Sequence, residues 1–332
     1  MTIDAALVAR MFDLGEVCSS PLVLPGSGPA STWKLHTTTG QWVVKMLRPS
    51  KRWEFEAMQQ AGDLERAALS AGVLTPPPVE ACGISPGYWL AMPEGPDYIR
   101  VSQWLEGTQP EIPANEDLAT WLGRIVAAMA TVSLPGSLNE GLGYPLYPLG
   151  DWHVWLDKAE AMEIVTAKQR AQLLAAVADG TQLVEAGLAT NPSFQLCHRD
   201  INHRNILLTA RGPVLIDFDH SGPEVPWWEL VHFALLLACR SLGDDEPDPR
   251  LVKAAVSAFA KNGGEVGTVD EIAFVGLIRG MMEWPACRLM TLLDNADPAS
   301  PTWTDAVAQV HEAAELLPVM VRSVERWTAL LR

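Results

Sequence analysis

The sequence predicts an α+β protein with two lobes, a small antiparallel sheet carrying one long helix and a larger, mainly helical part. Three observations lead to this fold class. Short β-patterned runs separated by turn residues occupy much of the N-terminal third. Apolar residues recur at helical intervals in residues 226–241, 249–262, 268–292 and 302–331. The chain has 332 residues, 48% hydrophobic and 19% charged, so it can bury a core large enough for two lobes.

The first sheet segment begins at Pro21 and predicts three successive strands. The pattern is a strand, a loop of small residues, a second strand, a turn at 38–40 and a third strand. In the loop, Gly26, Ser27 and Gly28 leave backbone amides accessible, which would let phosphate oxygens approach closely. An ordinary hairpin turn has the same composition, so the loop alone does not decide between these interpretations.

Lys45 interrupts the third strand, between the apolar residues Val44 and Met46. An ammonium group is costly to bury unless an anion meets it. Phosphate oxygens would be suitable partners. The alternation of side chains along a strand also allows Lys45 to face solvent, and this interpretation stays open.

A long helix and a further strand complete the predicted small lobe. The helix is expected from about residue 53 to residue 71, with Gly72 as its C-cap. The strand begins at Tyr98 and runs into a linker at residues 103–107.

The most informative stretch is residues 197–208 together with Asp217. Within it, His198, Asp200 and Asn205 have the spacing of the catalytic loop of kinases, His-x-Asp-x-x-x-x-Asn. An Asp held by such a loop can accept the proton of an incoming hydroxyl group, and an Asn amide oxygen can bind a hard cation. We therefore predict Asp200 as a general base, and Asn205 and Asp217 as ligands of Mg²⁺.

Two apolar runs around this motif predict a hairpin. Residues 206–208 would pair with 214–216 around a turn at 211–213. Taken alone, His-Arg-Asp is a common tripeptide, and an Asp after a strand is usually a solvated turn residue. Both features together, at this spacing, favour a functional interpretation.

On these residues the chain resembles the aminoglycoside phosphotransferase and choline kinase group, the small-molecule branch of the protein-kinase-like fold. The resemblance extends from about residue 20 to about residue 240 and is most specific at 196–219. Asp217-Phe218-Asp219 replaces the Asp-Phe-Gly of protein kinases, and residues 227–230 follow without room for a long activation loop. Arg199 stands where many antibiotic kinases carry Gly, so no named resistance class is assigned.

The resemblance implies a division of labour between two domains. Residues 1–105 would form an N-lobe that binds the nucleotide. Residues 106–332 would form a C-lobe with the catalytic loop, the metal ligands and the acceptor site. The implied cofactors are ATP, with GTP as the alternative nucleotide, and Mg²⁺.

The resemblance also implies nucleotide contacts. Lys45, oriented by a carboxylate of the long helix, would hold the phosphates. We choose Glu65 as that carboxylate, although the same helix offers others. The backbone near Gln103 and Trp104 would bind adenine, and an edge strand with a polar loop is the alternative for that segment.

Acidic residues are unevenly distributed along the chain, whose net charge is −16. Residues 1–105 hold 8 Lys or Arg against 10 Asp or Glu, whereas residues 106–332 hold 16 against 30. A field of this sign attracts a cationic small molecule and repels nucleic acid. Acidic surfaces also often serve only solubility. We expect a small, cationic acceptor and no nucleic-acid partner.

The sequence favours a cytoplasmic protein without a membrane partner. No apolar run approaches the roughly 20 residues that span a bilayer. The start, Met1-Thr2-Ile3-Asp4, lacks the basic region of a secretory signal. The oligomeric state stays open.

Three functions fit these observations. The first is an antibiotic-type phosphotransferase acting on an aminoglycoside or a similar cation, which the acidic C-lobe favours. The second is a metabolic kinase for an amino alcohol, sugar or nucleoside. The third is a nucleotide-binding pseudokinase, against which Lys45, Asp200, Asn205 and Asp217 argue, because a chain under no catalytic demand need not keep all four.

Overall fold

The computed structural model divides the chain into two compact units. It describes residues 3–24, 31–49, 52–79, 81, 89–93, 95–136, 146–241, 246–294 and 297–332. The first unit contains Met1–Pro110, Val132–Leu134 and Leu196–Gly222; the second contains Glu111–Thr131, Pro135–Gln195 and Pro223–Arg332. The segment around the predicted catalytic loop is thus part of the first unit. The domain boundary between residues 105 and 106 stays a prediction.

A five-stranded antiparallel sheet with the order β1-β2-β3-β5-β4 is the framework of the first unit. Its strands are β1 (Leu22–Val23), β2 (Ser31–Thr37), β3 (Gly40–Leu47), β4 (Leu90–Ala91) and β5 (Tyr98–Gln103). The central strand β3 pairs with β2 on one side and with β5 on the other. A tight turn joins β2 to β3, as the sequence predicts.

One face of this sheet is buried in an apolar core. Trp33 and Leu35 of β2 alternate with more exposed residues, as do Val44 and Met46 of β3, and all four are at most 5% exposed. They pack with the short helix α1 (Ala5–Met11), for which the sequence pattern gives no prediction. Because side chains alternate along a strand, Lys45 points to the opposite face of β3.

Helix α2 (Arg52–Ser70) confirms the predicted long helix to within one residue at each end. Its buried positions recur every three or four residues and include Met58, Ala61, Leu64, Glu65 and Ala68. Glu65 is only 2% exposed. The long helix therefore carries one carboxylate on its buried face.

Four short strands accompany the predicted catalytic segment. They are β6 (Gln195–Cys197), β7 (Ile206–Thr209), β8 (Gly212–Leu215) and β9 (Gly222–Glu224). β7 and β8 form the predicted antiparallel hairpin, with Ile206 opposite Leu215 and Thr209 opposite Gly212.

The turn of this hairpin corrects the prediction. It lies at residues 210–211 rather than 211–213, so Pro213 lies within β8 and Ile216 lies beyond its end. The cause is a side chain: Thr209 Oγ1 accepts from the Arg211 N–H and donates to the Gly212 carbonyl. These two hydrogen bonds close the turn one residue earlier than the apolar pattern indicates.

The second unit is mainly helical. Its main helices are α3 (Glu116–Val132), α4 (Leu149–Ala161), α5 (Ala167–Ala189), α6 (Pro226–Ala238), α7 (Pro249–Lys261), α8 (Val275–Leu293) and α9 (Pro301–Trp327). The last four confirm the four predicted helical segments. α8 starts later than predicted because a 3-10 turn, Glu271–Phe274, capped by Asp270, precedes it. Among the described residues no helix is long and apolar enough to cross a membrane.

Candidate active site

One lysine and two aspartates are in direct contact on the face of β3 away from the apolar core. Lys45 Nζ lies 2.6 Å from Asp217 Oδ1 and 2.8 Å from Asp219 Oδ2. The lysine side chain is only 15% exposed. Burial disfavours its charge, but Asp219 and Asp217 outweigh burial and raise the pKa of Lys45 above its ordinary value. The carboxylates explain how a buried ammonium group is tolerated.

The backbone at Asp217 explains how two aspartates so close in sequence reach one lysine. Asp217 follows β8 with φ 66° and ψ 67°, in the left-handed region. This conformation costs a non-glycine residue on the order of 1 kcal/mol and recurs at functional sites. A 3-10 turn, Phe218–His220, follows immediately and brings Asp219 to the same ammonium group.

Two amide side chains of its own loop orient Asp200. Asn202 Nδ2 donates to Asp200 Oδ1, and Asn205 Nδ2 donates to Oδ2 at 2.6 Å and to the backbone carbonyl at 2.9 Å. Burial raises the pKa of Asp200, whereas the charge of His220 and the two amides oppose the rise. A fixed carboxylate with a raised pKa has the properties of a general base.

His198 supports this loop from within the core. The Asp200 N–H donates to its Nδ1 at 3.2 Å, and its Nε2 lies 3.1 Å from the Ile216 carbonyl, which assigns the ring proton to Nε2. Its ring packs edge-on against Phe218, with centroids 4.5 Å apart. Burial lowers the pKa of His198 to about 4, so the ring is neutral at neutral pH. The histidine thus connects the Asp200 loop to the residue that precedes Asp217.

A backbone hydrogen bond ties the two predicted metal ligands to each other. The Ile216 N–H donates to the Asn205 carbonyl at 3.0 Å, and Asp217 is the next residue. Because the Asn205 amide nitrogen is committed to Asp200, the side-chain oxygen is the atom left for a cation. Within the described ranges, no group of three or more His, Cys, Asp or Glu side chains could hold a metal. A cation here would need further oxygens from a bound substrate, which is usual for Mg²⁺ with phosphates.

A family model for the phosphotransferase enzyme family matches residues 23–267, well over half of the sequence. The chain belongs to the phosphotransferase enzyme family. It is a small-molecule kinase whose acceptor is a hydroxyl group, as the resemblance implies. Comparison with curated proteins finds no match.

Solved structures share the fold of this phosphotransferase at low sequence identity. A spectinomycin phosphotransferase is 13% identical, with coverage of 96% of this chain and 97% of the other and a TM-score of 0.68. An amicoumacin kinase is 14% identical, covering 94% and 92%, with a TM-score of 0.64. A microcompartment-associated aminopropanol kinase is 18% identical, covering 96% and 98%, with a TM-score of 0.61. These likenesses confirm the predicted protein-kinase-like fold.

The structure of this phosphotransferase does not contain the expected ion pair between Lys45 and Glu65. Arg100 Nη2 instead donates to Glu65 Oε2 at 2.7 Å, and both side chains are almost completely buried. Arg100 lies on β5 directly opposite Lys45. The Arg100 guanidinium group has more N–H donors than an ammonium group and pairs with the carboxylate of Glu65. Lys45 pairs with the two aspartates. The predicted pairing is therefore wrong, although both residues lie in one charge cluster.

The small-residue loop cannot be compared with the prediction. Gly26, Ser27 and Gly28 lie outside the described residues, so their role as a phosphate cradle stays a prediction. Strand β2, which follows this loop in the sequence, contacts the linker. Lys34 Nζ lies 3.8 Å from the centre of the Trp104 ring. This contact holds the indole against β2.

The backbone N–H groups of Gln103 and Trp104, in the segment predicted to bind adenine, have hydrogen-bond partners within the protein. The Gln103 N–H donates to the Pro77 carbonyl and the Trp104 N–H to the Gln41 carbonyl, each at 2.9 Å. These two N–H groups are therefore already used within the protein. The adenine contacts stay predictions.

Three residues of the candidate active site are missing from the sequence-based set: Arg100, Asn202 and Asp219. Each carries a recognisable signal. Arg100 interrupts an apolar strand, as Lys45 does, Asn202 is two residues from the candidate base, and Asp219 is a second acid two residues after Asp217. Arg100 could have been selected on the same physical grounds as Lys45.

Proposed function

We propose that this phosphotransferase transfers the γ-phosphate of ATP to a hydroxyl group of a small cationic molecule, with Mg²⁺ as the metal. The observation that carries the proposal is the hydrogen-bonded connection from Asp200 through Asn205 to the residue before Asp217. It joins a candidate base and two candidate metal ligands in one hydrogen-bonded arrangement. Phosphoryl transfer depends mainly on such positioning and on charge neutralisation.

Each residue has a distinct role in the proposal. Asp200 would orient the attacking hydroxyl and accept its proton. Lys45 would release one of its carboxylate partners, Asp217, and bind phosphate oxygens in its place. The Asn205 side-chain oxygen and Asp217 would hold Mg²⁺. When bound, the metal would neutralise charge on the phosphoryl oxygens.

The ligands of structural neighbours support the nucleotide and the divalent cation. The spectinomycin phosphotransferase was solved with ADP and spectinomycin, and the amicoumacin kinase with AMP-PNP, Ca²⁺ and its antibiotic. By analogy we propose a nucleoside triphosphate and a divalent cation here, with ATP and Mg²⁺ as the first to test and GTP as the alternative.

The charge of the chain supports a cationic acceptor. Residues 106–332 carry 30 acidic against 16 basic residues. An antibiotic of the aminoglycoside type is the first candidate, and an amino alcohol is the second, since an aminopropanol kinase has the same fold. We further propose a cytoplasmic location and no nucleic-acid or membrane partner.

The test is ADP release in the presence of ATP and Mg²⁺ with a panel of acceptors: aminoglycosides, other basic antibiotics, choline, ethanolamine, aminopropanol, sugars and nucleosides. Asp200→Asn should lower turnover by about 10²- to 10⁴-fold, as is typical of a lost general base. Asp97→Asn is the matched control, because Asp97 pairs with Arg48 at the surface. Acceptor-dependent release that survives Asp200→Asn, or no release with any acceptor, would contradict the proposal.

A further inference from the structure

Five charged side chains form a continuous cluster, which we call the charge chain, and three of them belong to the set of site residues predicted from the sequence. Its members are Glu65, Arg100, Asp219, Lys45 and Asp217. Arg100 joins Glu65 at 2.7 Å and lies 3.7 Å from Asp219 Oδ1; Lys45 joins Asp219 Oδ2 at 2.8 Å and Asp217 at 2.6 Å. Three carboxylates thus face two cations, and most of the cluster is shielded from water.

Asp219 is the member that contacts both cations. Lys45 and Arg100 lie directly opposite each other on β3 and β5, where two like charges repel unless an anion lies between them. One oxygen of Asp219 faces each cation. Asp219 is thus hydrogen-bonded to Lys45 and lies at ion-pair distance from Arg100.

Asp217 and Glu65 are less suited to hold Lys45 during turnover. The Asp217 side chain is 38% exposed and, in the proposed function, must turn toward a metal ion. Glu65 is committed to Arg100, and its side chain is 3% exposed. Asp219 is 20% exposed and close to Arg100 through its second oxygen, so it can stay on Lys45 when Asp217 leaves.

We propose that Asp219, braced by Arg100, is the residue that positions Lys45 for nucleotide phosphates, and that Glu65 acts one step further back by holding Arg100. The inference rests on the proposed function, because it concerns how that site binds its nucleotide. It assigns to Asp219 the role that the family resemblance implies for Glu65.

Two isosteric variants separate these assignments. Asp219→Asn and Glu65→Gln each remove one negative charge from the same cluster without changing side-chain size. The Kd of ADP is measured by calorimetry in EDTA, where no divalent cation contributes. Loss of the charged contact to Lys45 should weaken ADP binding by about tenfold in D219N. The loss in E65Q should be clearly smaller, and the KM for ATP should follow the same order, with kcat changing less.

Three outcomes would overturn the inference. The first is a loss in E65Q that equals or exceeds that in D219N, which would mean that Glu65 moves to Lys45 when nucleotide binds. The second is unchanged metal-free ADP binding in D219N with a higher Mg²⁺ requirement, which would make Asp219 a metal ligand. The third is additive losses in the D219N and Lys45→Ala double variant, since residues that act as a unit are not additive.

Separate control measurements test whether each variant folds and whether the proposed function holds. Circular dichroism and thermal unfolding report whether each variant folds. If D219N does not, the charge-conserving pair Asp219→Glu and Glu65→Asp is compared, with the larger loss expected for D219E. Wild-type protein that binds no ADP even when Mg²⁺ is added would contradict the proposed function itself, whereas normal wild-type binding with the wrong order of variants would contradict only this inference.

Discussion

Asp200 is held by hydrogen bonds that favour its ionised form, while burial favours its neutral form. Burial prevails, and the pKa of Asp200 is raised. Because a general base must be ionised, the acid limb of the activity profile should lie above the ordinary pKa of an aspartate.

Asn202→Ala should move that limb to still higher pH. The variant removes a donor to Asp200 Oδ1, and a lost hydrogen bond to the charged form raises the pKa of the carboxyl group further. The measurement is kcat/KM against pH. Asn262→Ala, in the second unit, is the control and should leave the limb in place. An unchanged or lowered limb in Asn202→Ala would contradict the role given to Asn202.

Single residues were predictable where polarity interrupts an apolar pattern. Lys45 and Asp217 stand out in this way, and the structure brings them together. The partner of Lys45 was not predictable, because it depends on Arg100 lying opposite Lys45 across two paired strands that are distant in sequence. That register, and not helix periodicity, determines which cation reaches Glu65.

Among the elements, the β7–β8 hairpin contains a local backbone requirement. Gly212 has φ 111°, and a Cβ at this position would meet no atom within 4 Å. Gly212→Ala should therefore destabilise the protein by about 1 kcal/mol through backbone strain alone. Unfolding in denaturant measures the change.

Gly150 provides the matched control for this substitution. A Cβ at Gly150 would likewise meet no atom within 4 Å, but this glycine lies in helix α4 without a positive φ. Gly150→Ala should leave stability unchanged or raise it slightly. Equal destabilisation of both variants would show that the positive φ of Gly212 is not the cause.

The elements also show why a periodic pattern locates strands better than turns. The apolar runs correctly predict that β7 and β8 pair. They miss the turn by one residue because Thr209 closes it with side-chain hydrogen bonds, which leave no trace in hydrophobic periodicity. In the same way, α8 begins late because Asp270 caps a 3-10 turn in front of it.

For the whole molecule, buried neutral histidines predict how stability depends on pH. Burial lowers the pKa of His232 to about 3 and that of His198 to about 4. Below about pH 6.5 the unfolded chain binds protons that the folded protein does not, so the free energy of unfolding should fall as pH falls toward these values. The expected slope is about 1.4 kcal/mol per pH unit for each histidine.

Thermal unfolding between pH 7 and pH 5 tests this dependence. His232→Gln should reduce the slope, because one of the buried groups no longer titrates. His153→Gln is the control, since His153 is exposed. A slope that His232→Gln does not change would mean that other groups cause the loss of stability in acid.

For the molecule as a whole, the sequence alone was sufficient to predict the fold class and the family. A catalytic-loop spacing, an Asp after an apolar strand and helical periodicity predicted both, and the family match confirms them. The make-up of the compact units was not predictable. Residues 196–222 belong to the first unit because of contacts such as the Lys45 ion pairs, which join segments distant in sequence.

Mass spectrometry of the acceptor after incubation with ATP and Mg²⁺ measures the proposed phosphoryl transfer most directly. We predict that at least one cationic acceptor gains the mass of one phosphoryl group with the wild-type protein. Product should be absent with Asp217→Ala and strongly reduced with Asp200→Asn. Equal product from Asp217→Ala, or ATP hydrolysis without any phosphorylated acceptor, would contradict the assignment of this site.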